Sequence, residues 1–156
     1  MDNNSKLAVI DAALFDAMKV AKRPRYWDEF QRRVGSQIDR PTAAILRLLS
    51  AQSLQFRDLV TKLGIEAPSI SRKVHELEQE GLIERSPTED RRVHILSLSN
   101  EGKSLARKII DARFSILNDT LISWSENDKA KLSELLSRLA KDLSNQYGSK
   151  DTACHK

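Results

Sequence analysis

Ser69, Ser71, Arg72 and Lys73 fall within five consecutive positions, and together they offer the chemistry of nucleic-acid recognition. An arginine can place a bidentate pair on guanine, while serine and lysine suit phosphate oxygens or base edges. Taken alone, Arg72 and Lys73 would be ordinary surface cations, and Ser69 an ordinary hydrogen bonder at a helix start. Their setting changes that reading. Ile70, Val74 and Leu77 are spaced four and three, which predicts a helix from about Pro68 to Glu80 with one apolar face. Burying that face leaves the opposite one free to enter a major groove. The far end carries Glu76, Glu78 and Glu80, so such a helix would lead with its N-terminal half, as groove-reading helices do.

The elements around this helix follow from periodicity and from helix stops. Leu7, Ile10, Leu14, Ala17 and Ala21 form a helical stripe from Lys6, which Pro24 should end or kink. A second helical piece runs from Arg25 to about Val34 and stops at Gly35. Pro41 marks a start for a helix over about 42–51, with Ile45, Leu48 and Leu49 inward. Phe56, Leu59, Val60 and Leu63 predict a short helix over about 55–63, closed by Gly64, and Gly81 closes the helix that follows the turn. The period then changes. Leu82–Arg85 and Val93–Leu98 read as strands joined by the polar segment Ser86–Arg92, a β-hairpin with a charged tip. Ser99 is a helix N-cap. Leu105, Ile109, Ala112, Ile116 and Leu121 then run to about Trp124, Ser125–Asp128 interrupts, and Leu132, Leu135, Leu136, Leu139 and Leu143 carry a last helix to about Tyr147.

Helix, glycine turn, helix and hairpin is the order of a winged helix-turn-helix. From Leu63-Gly64-Ile65-Glu66-Ala67-Pro68-Ser69-Ile70-Ser71-Arg72-Lys73-Val74, through Gly81-Leu82-Ile83-Glu84-Arg85 and Asp90-Arg91-Arg92, to Leu96-Ser97-Leu98-Ser99 and Glu101-Gly102, the chain resembles the MarR family of regulators. The resemblance in motifs spans about residues 41–105, and its most specific part is the Asp-x-Arg hairpin tip before the strand. It implies a mainly α fold: a winged helix-turn-helix with a small β-hairpin wing and an α-helical dimerisation region. The expected division is a dimerisation helix over 6–35, a DNA-binding region over 41–99, dimerisation helices over 100–148, and a disordered tail over 149–156. It implies a homodimer whose recognition helix reads the major groove of double-stranded DNA while the wing reaches the minor groove. On that pattern Arg92 is the minor-groove arginine, Asp90 orients it and Arg91 meets phosphate. The sequence departs from the family where Gln55 and Glu66 stand at two helix N-caps usually held by Ser or Thr.

The bulk properties fit this picture without demanding it. The chain has 156 residues, 31% charged and 5% aromatic, with a net charge of +4, a mild excess that suits a polyanionic partner. The charge is uneven. Residues 57–92 hold seven Lys/Arg against eight Asp/Glu, so DNA binding would rest on local clusters, whereas residues 19–33 hold six basic residues and two acidic ones. The single cysteine, Cys154, allows no internal disulfide, and no apolar run reaches the roughly 18 residues of a membrane span, so the chain reads as cytoplasmic. Cys154 in the tail is not placed like a redox sensor, and the isolated His75 and His94 suggest no metal site. No nucleophile–base pair, phosphate-binding glycine loop or ligand cluster suggests an enzyme, and no cofactor is expected. Tyr26, Trp27, Phe30 and Trp124 either pack at the junction of the helices or line a pocket for a small aromatic or anionic effector. In the second case Arg47, Arg23 or Arg25 would supply the countercharge. The expected function is a ligand-responsive repressor on a pseudo-palindromic operator. The alternative is a winged-helix module that binds protein, which has no need for cations at both groove-facing positions.

Overall fold

The computed structural model describes residues 3–88 and 93–147. Helices α1 (Asn3–Ala21), α2 (Pro24–Val34) and α3 (Arg40–Ala51) precede the short strand β1 (Leu54–Gln55). They are followed by α4 (Phe56–Leu63), α5 (Ala67–Gln79), the strands β2 (Ile83–Pro87) and β3 (His94–Leu98), and the long helices α6 (Asn100–Thr120) and α7 (Glu126–Tyr147). The predicted mainly α winged helix-turn-helix is present. The sheet is antiparallel with order β1-β3-β2, and its register sets Ile83 against Leu98, Arg85 against Leu96 and Leu54 against Leu96. On β3, Leu96 and Leu98 are buried and His94 is half-buried on the same face.

The core collects Phe30 and Val34 from α2, Ile45, Leu46 and Leu49 from α3, and Leu59 from α4. Ile70, Val74 and Leu77 from α5 join them, with Leu96 and Leu98 from β3 and Ala106, Ile109 and Ala112 from α6. Each fully buried Leu, Ile or Phe contributes about 1.5–3 kcal/mol. This core draws on α2, the winged unit and the first half of α6 together. The reason is that α2 and the first half of α6 each have one apolar face on the winged unit. α2 is also held to α6 through charge. Arg33 pairs with Asp119 at 2.7 Å and with Glu29 at 2.6 Å, and hydrogen bonds from Arg32 and then Arg33 pull the Glu29 carboxyl down to about 2.

Several details differ from the periodicity reading. β1 was unforeseen, because two residues carry no period and become a strand only by pairing with β3. α3 begins at Arg40 because Asp39 caps it, its carboxylate accepting from the Thr42 N–H at 2.7 Å. α6 ends at Thr120 rather than near Trp124. Ser125 begins α7 rather than interrupting the chain: its hydroxyl accepts from the Asp128 N–H at 3.1 Å and donates to the Asp128 carboxylate at 2.6 Å. The anticipated Ser99 cap is present. Its Oγ accepts from the Gly102 N–H at 3.0 Å and donates to the Gly81 carbonyl at 2.6 Å, tying α6 to the end of the α5–β2 turn.

α1 and α7 stand apart. None of the α7 side chains is buried, and Leu7, Ile10, Leu14, Phe15 and Met18 of α1 are exposed, as are Leu135, Leu136 and Leu143 of α7. A soluble protomer rarely leaves apolar stripes of this extent open to water. No helix of the described residues is long and apolar enough to cross a membrane.

Candidate nucleic-acid interface

α4 and α5 meet through a turn that only a glycine accommodates easily. Gly64 sits at φ 62°, in the left-handed region, and its N–H closes α4 on the Val60 carbonyl at 3.0 Å. The chain then enters α5 through Glu66, whose side chain makes no cap; Gln55 likewise leaves α4 uncapped. With Ile70, Val74 and Leu77 turned into the core, Ser71 and Arg72 project outward and Ser69 is half-buried.

Lys73 faces elsewhere. Its ammonium lies 2.7 Å from the Asp39 carboxylate and also pairs with Glu76, and these hydrogen bonds, Asp39 first, push it up to about 12. It therefore ties α5 to the start of α3 instead of pointing into open solvent. The acidic end of α5 is partly neutralised in the same way: Glu76 is held by Lys73, and Glu78 by Arg85 of β2 at 2.7 Å. Two of the three glutamates at the far end of α5 are thus already paired.

A groove of about 490 Å³ brings Ser71 together with Gln55, Phe56 and Arg57 at the start of α4 and with Arg85, Val93 and His94 of the wing. The His94 Nδ1 is buried there without a hydrogen-bond partner among the described residues. Arg57 is not singled out by the sequence, and His94 is considered there only as an isolated histidine that suggests no metal site. Arg57 could have been, as a cation in the first turn of a helix-turn-helix. His94 could not, since only the fold brings its strand beside α4 and α5. At the base of the wing, the Thr88 N–H donates to the Val93 carbonyl at 3.1 Å. Asp90, Arg91 and Arg92 lie outside the described residues, as does Cys154.

The residues considered for an effector pocket separate. Phe30 is core, packed at a tilt against Trp27 with ring centroids 4.9 Å apart. Tyr26 lines a groove of about 560 Å³ with Val20, Arg23, Arg25, Arg32 and Ile116. Trp124 lies instead in a second groove with Lys131, Leu132 and Leu135. Arg47 is exposed, and it acts on a residue that sequence reasoning missed, Arg113. The Arg113 guanidinium stands 5.5 Å from the Phe30 ring, and its Nε is buried without a partner among the described residues. Burial, then repulsion from Arg47, pushes its pKa below the usual arginine value, with Tyr26 opposing. Arg113 as a whole is half-buried, so its unpaired Nε is that of a partly desolvated cation.

Comparison with known proteins agrees with the fold. Residues 36–92 match the MarR family. The chain is 33% identical over 102 residues to the HTH-type transcriptional regulator FarR of Neisseria gonorrhoeae, covering 62% of this chain and 68% of that protein. It is 26% identical over 143 residues to the HTH-type transcriptional regulator YxaD of Bacillus subtilis, covering 90% of this chain and 97% of that one. A solved MarR family protein from Bacillus stearothermophilus superposes with a TM-score of 0.77 at 20% identity, covering 92% of this chain and 99% of the other.

Proposed function

The chain belongs to the MarR family of DNA-binding, HTH-type transcriptional regulators, and on that premise we propose that it works in the cytoplasm as a homodimeric, ligand-responsive repressor. The observation that carries the reading is the first half of α5, where Ser71 and Arg72 stand exposed opposite a fully buried face. In this reading Ser69, Ser71 and Arg72 meet the major groove, Arg57 meets backbone phosphate, and Asp90, Arg91 and Arg92 serve the minor groove and its flanks. Lys73, paired as it is, holds the helix in place. Two protomers joined through α1 and α7 place two such helices on half-sites roughly 10 bp apart, and occupancy of that site blocks polymerase.

Arg72→Ala tests the DNA contact. Fluorescence anisotropy with a selected duplex should show a loss of about 1–3 kcal/mol in binding, with relaxed preference at one base position. Unchanged affinity and preference would remove Arg72 from the interface. The effector is proposed to be a small aromatic acid, its ring against Tyr26 and its carboxylate toward Arg113 and Arg47. Thermal shift against a panel of aromatic acids should raise the melting temperature of the wild type and not of Arg113→Met. A silent wild type would count against an effector of this class.

A further inference from the structure

Two consecutive residues at the start of α3 reach in opposite directions. The Arg40 guanidinium donates to the Ala21 and Lys22 carbonyls, both at 3.1 Å, and lies 4.6 Å from the centroid of the Trp27 ring. It thus caps the C-terminal end of α1, where a cation is favoured by the free carbonyls and the helix dipole. Its neighbour Asp39 accepts from the Thr42 N–H and holds Lys73 of α5 at 2.7 Å. The same link is fixed from α2, where the Gln31 side chain donates to the Ile38 carbonyl at 2.6 Å.

We propose that Asp39 and Arg40 form a strap that couples the position of the α1 arm to that of the recognition helix α5, with Asp39, Arg40 and Lys73 as positioning residues rather than DNA contacts. The inference rests on the DNA-binding reading for its consequence but not for its geometry. α1 packs on α2 and otherwise exposes its apolar side, so a fork from α3 onto its last carbonyls gives its angle a route to the winged unit. The strap meets the arm beside the groove lined by Val20, Arg23, Arg25 and Tyr26. A molecule seated in that groove would load the strap, and the load would reach α5 through Asp39 and Lys73. Coupling of this kind requires an element that both sites bias, and in this proposal the N-terminal end of α3, which carries both side chains, takes that part.

The test uses the full-length chain, with Arg40→Met to remove the fork and Asp39→Asn to break the ion pair. Asparagine keeps the α3 cap, because its amide oxygen can still accept from Thr42. In hydrogen–deuterium exchange on the free protein, Arg40→Met should speed exchange in α5, which it does not touch, and Asp39→Asn should speed exchange at the α1 end. In titrations against a selected duplex, each variant should lose affinity by about tenfold at an unchanged salt slope. The double variant should lose no more than either single one, since both cut the same strap. Exchange changes confined to each mutation's own helix would overturn the proposal without DNA being involved. So would multiplying losses, or a salt slope lowered by about one for Arg40→Met, the sign of a direct phosphate contact. A wild type that binds no duplex while exchange propagates as described would sink the DNA-binding reading and leave the strap supported.

Discussion

Gly102→Ala is expected to lower the melting temperature by about 6–12 °C, equivalent to a loss of about 3 kcal/mol. Helix propensity alone argues the reverse, because alanine in a helix is favoured over glycine by about 1 kcal/mol. The packing decides. A Cβ on Gly102 would overlap the Leu82 carbonyl oxygen and lie 3.0 Å from its carbon. Neither side can yield cheaply. The Leu82 carbonyl accepts from the Ser99 N–H at 3.1 Å, while the Ser99 Oγ holds the Gly102 N–H and the Gly81 carbonyl. The substitution therefore pushes backbone against backbone where α6 joins the α5–β2 turn, next to the base of the wing. Calorimetry on the purified variant is the check, and a melting temperature equal to or above wild type would show that this junction is not rigid.

Leu136→Glu together with Leu143→Glu should give a folded monomer whose affinity for a two-half-site duplex is lower by about 100-fold or more. The two positions are seven apart, on one face of α7, and are 47% and 49% exposed in the protomer. Charging them costs the isolated fold little but places four carboxylates in a dimer seam. Losing the second half-site removes an intramolecular binding step worth a factor of about 10²–10⁴. Sedimentation should show the protomer mass with near-wild-type circular dichroism. A variant that stays dimeric would move the interface off this face of α7.

Much of this architecture was legible because local signals and burial coincide. Ile70, Val74 and Leu77 are at once a helical period and the buried face of α5; Gly64 and Gly81 end their helices; Ser99 caps α6. The rest depends on partners distant in sequence. The Leu54–Gln55 pair is a strand only beside β3. Lys73 read as an outward cation because nothing near it in the chain reveals Asp39, which reaches it across the fold. Tyr26, Trp27 and Phe30 form one aromatic cluster in sequence, but the packing sends Phe30 into the core and Tyr26 to a groove. Arg113 carried no signal, since a cation on a long helix is unremarkable until the fold sets the Phe30 ring beside it and the Arg47 charge within reach. The cap at Ser125 was available in the pattern Ser-x-x-Asp, and was read as a break because a short polar run looks the same at either kind of helix end.

The most direct measurement is selection of bound duplexes from a random library at physiological salt, with wild type and the Arg72→Ala/Arg92→Ala double variant in parallel. The account predicts that wild type alone enriches an inverted repeat with half-sites roughly 10 bp apart. A folded wild-type dimer that enriches no sequence in the presence or absence of aromatic acids, or a double variant that enriches the same repeat equally well, would contradict it.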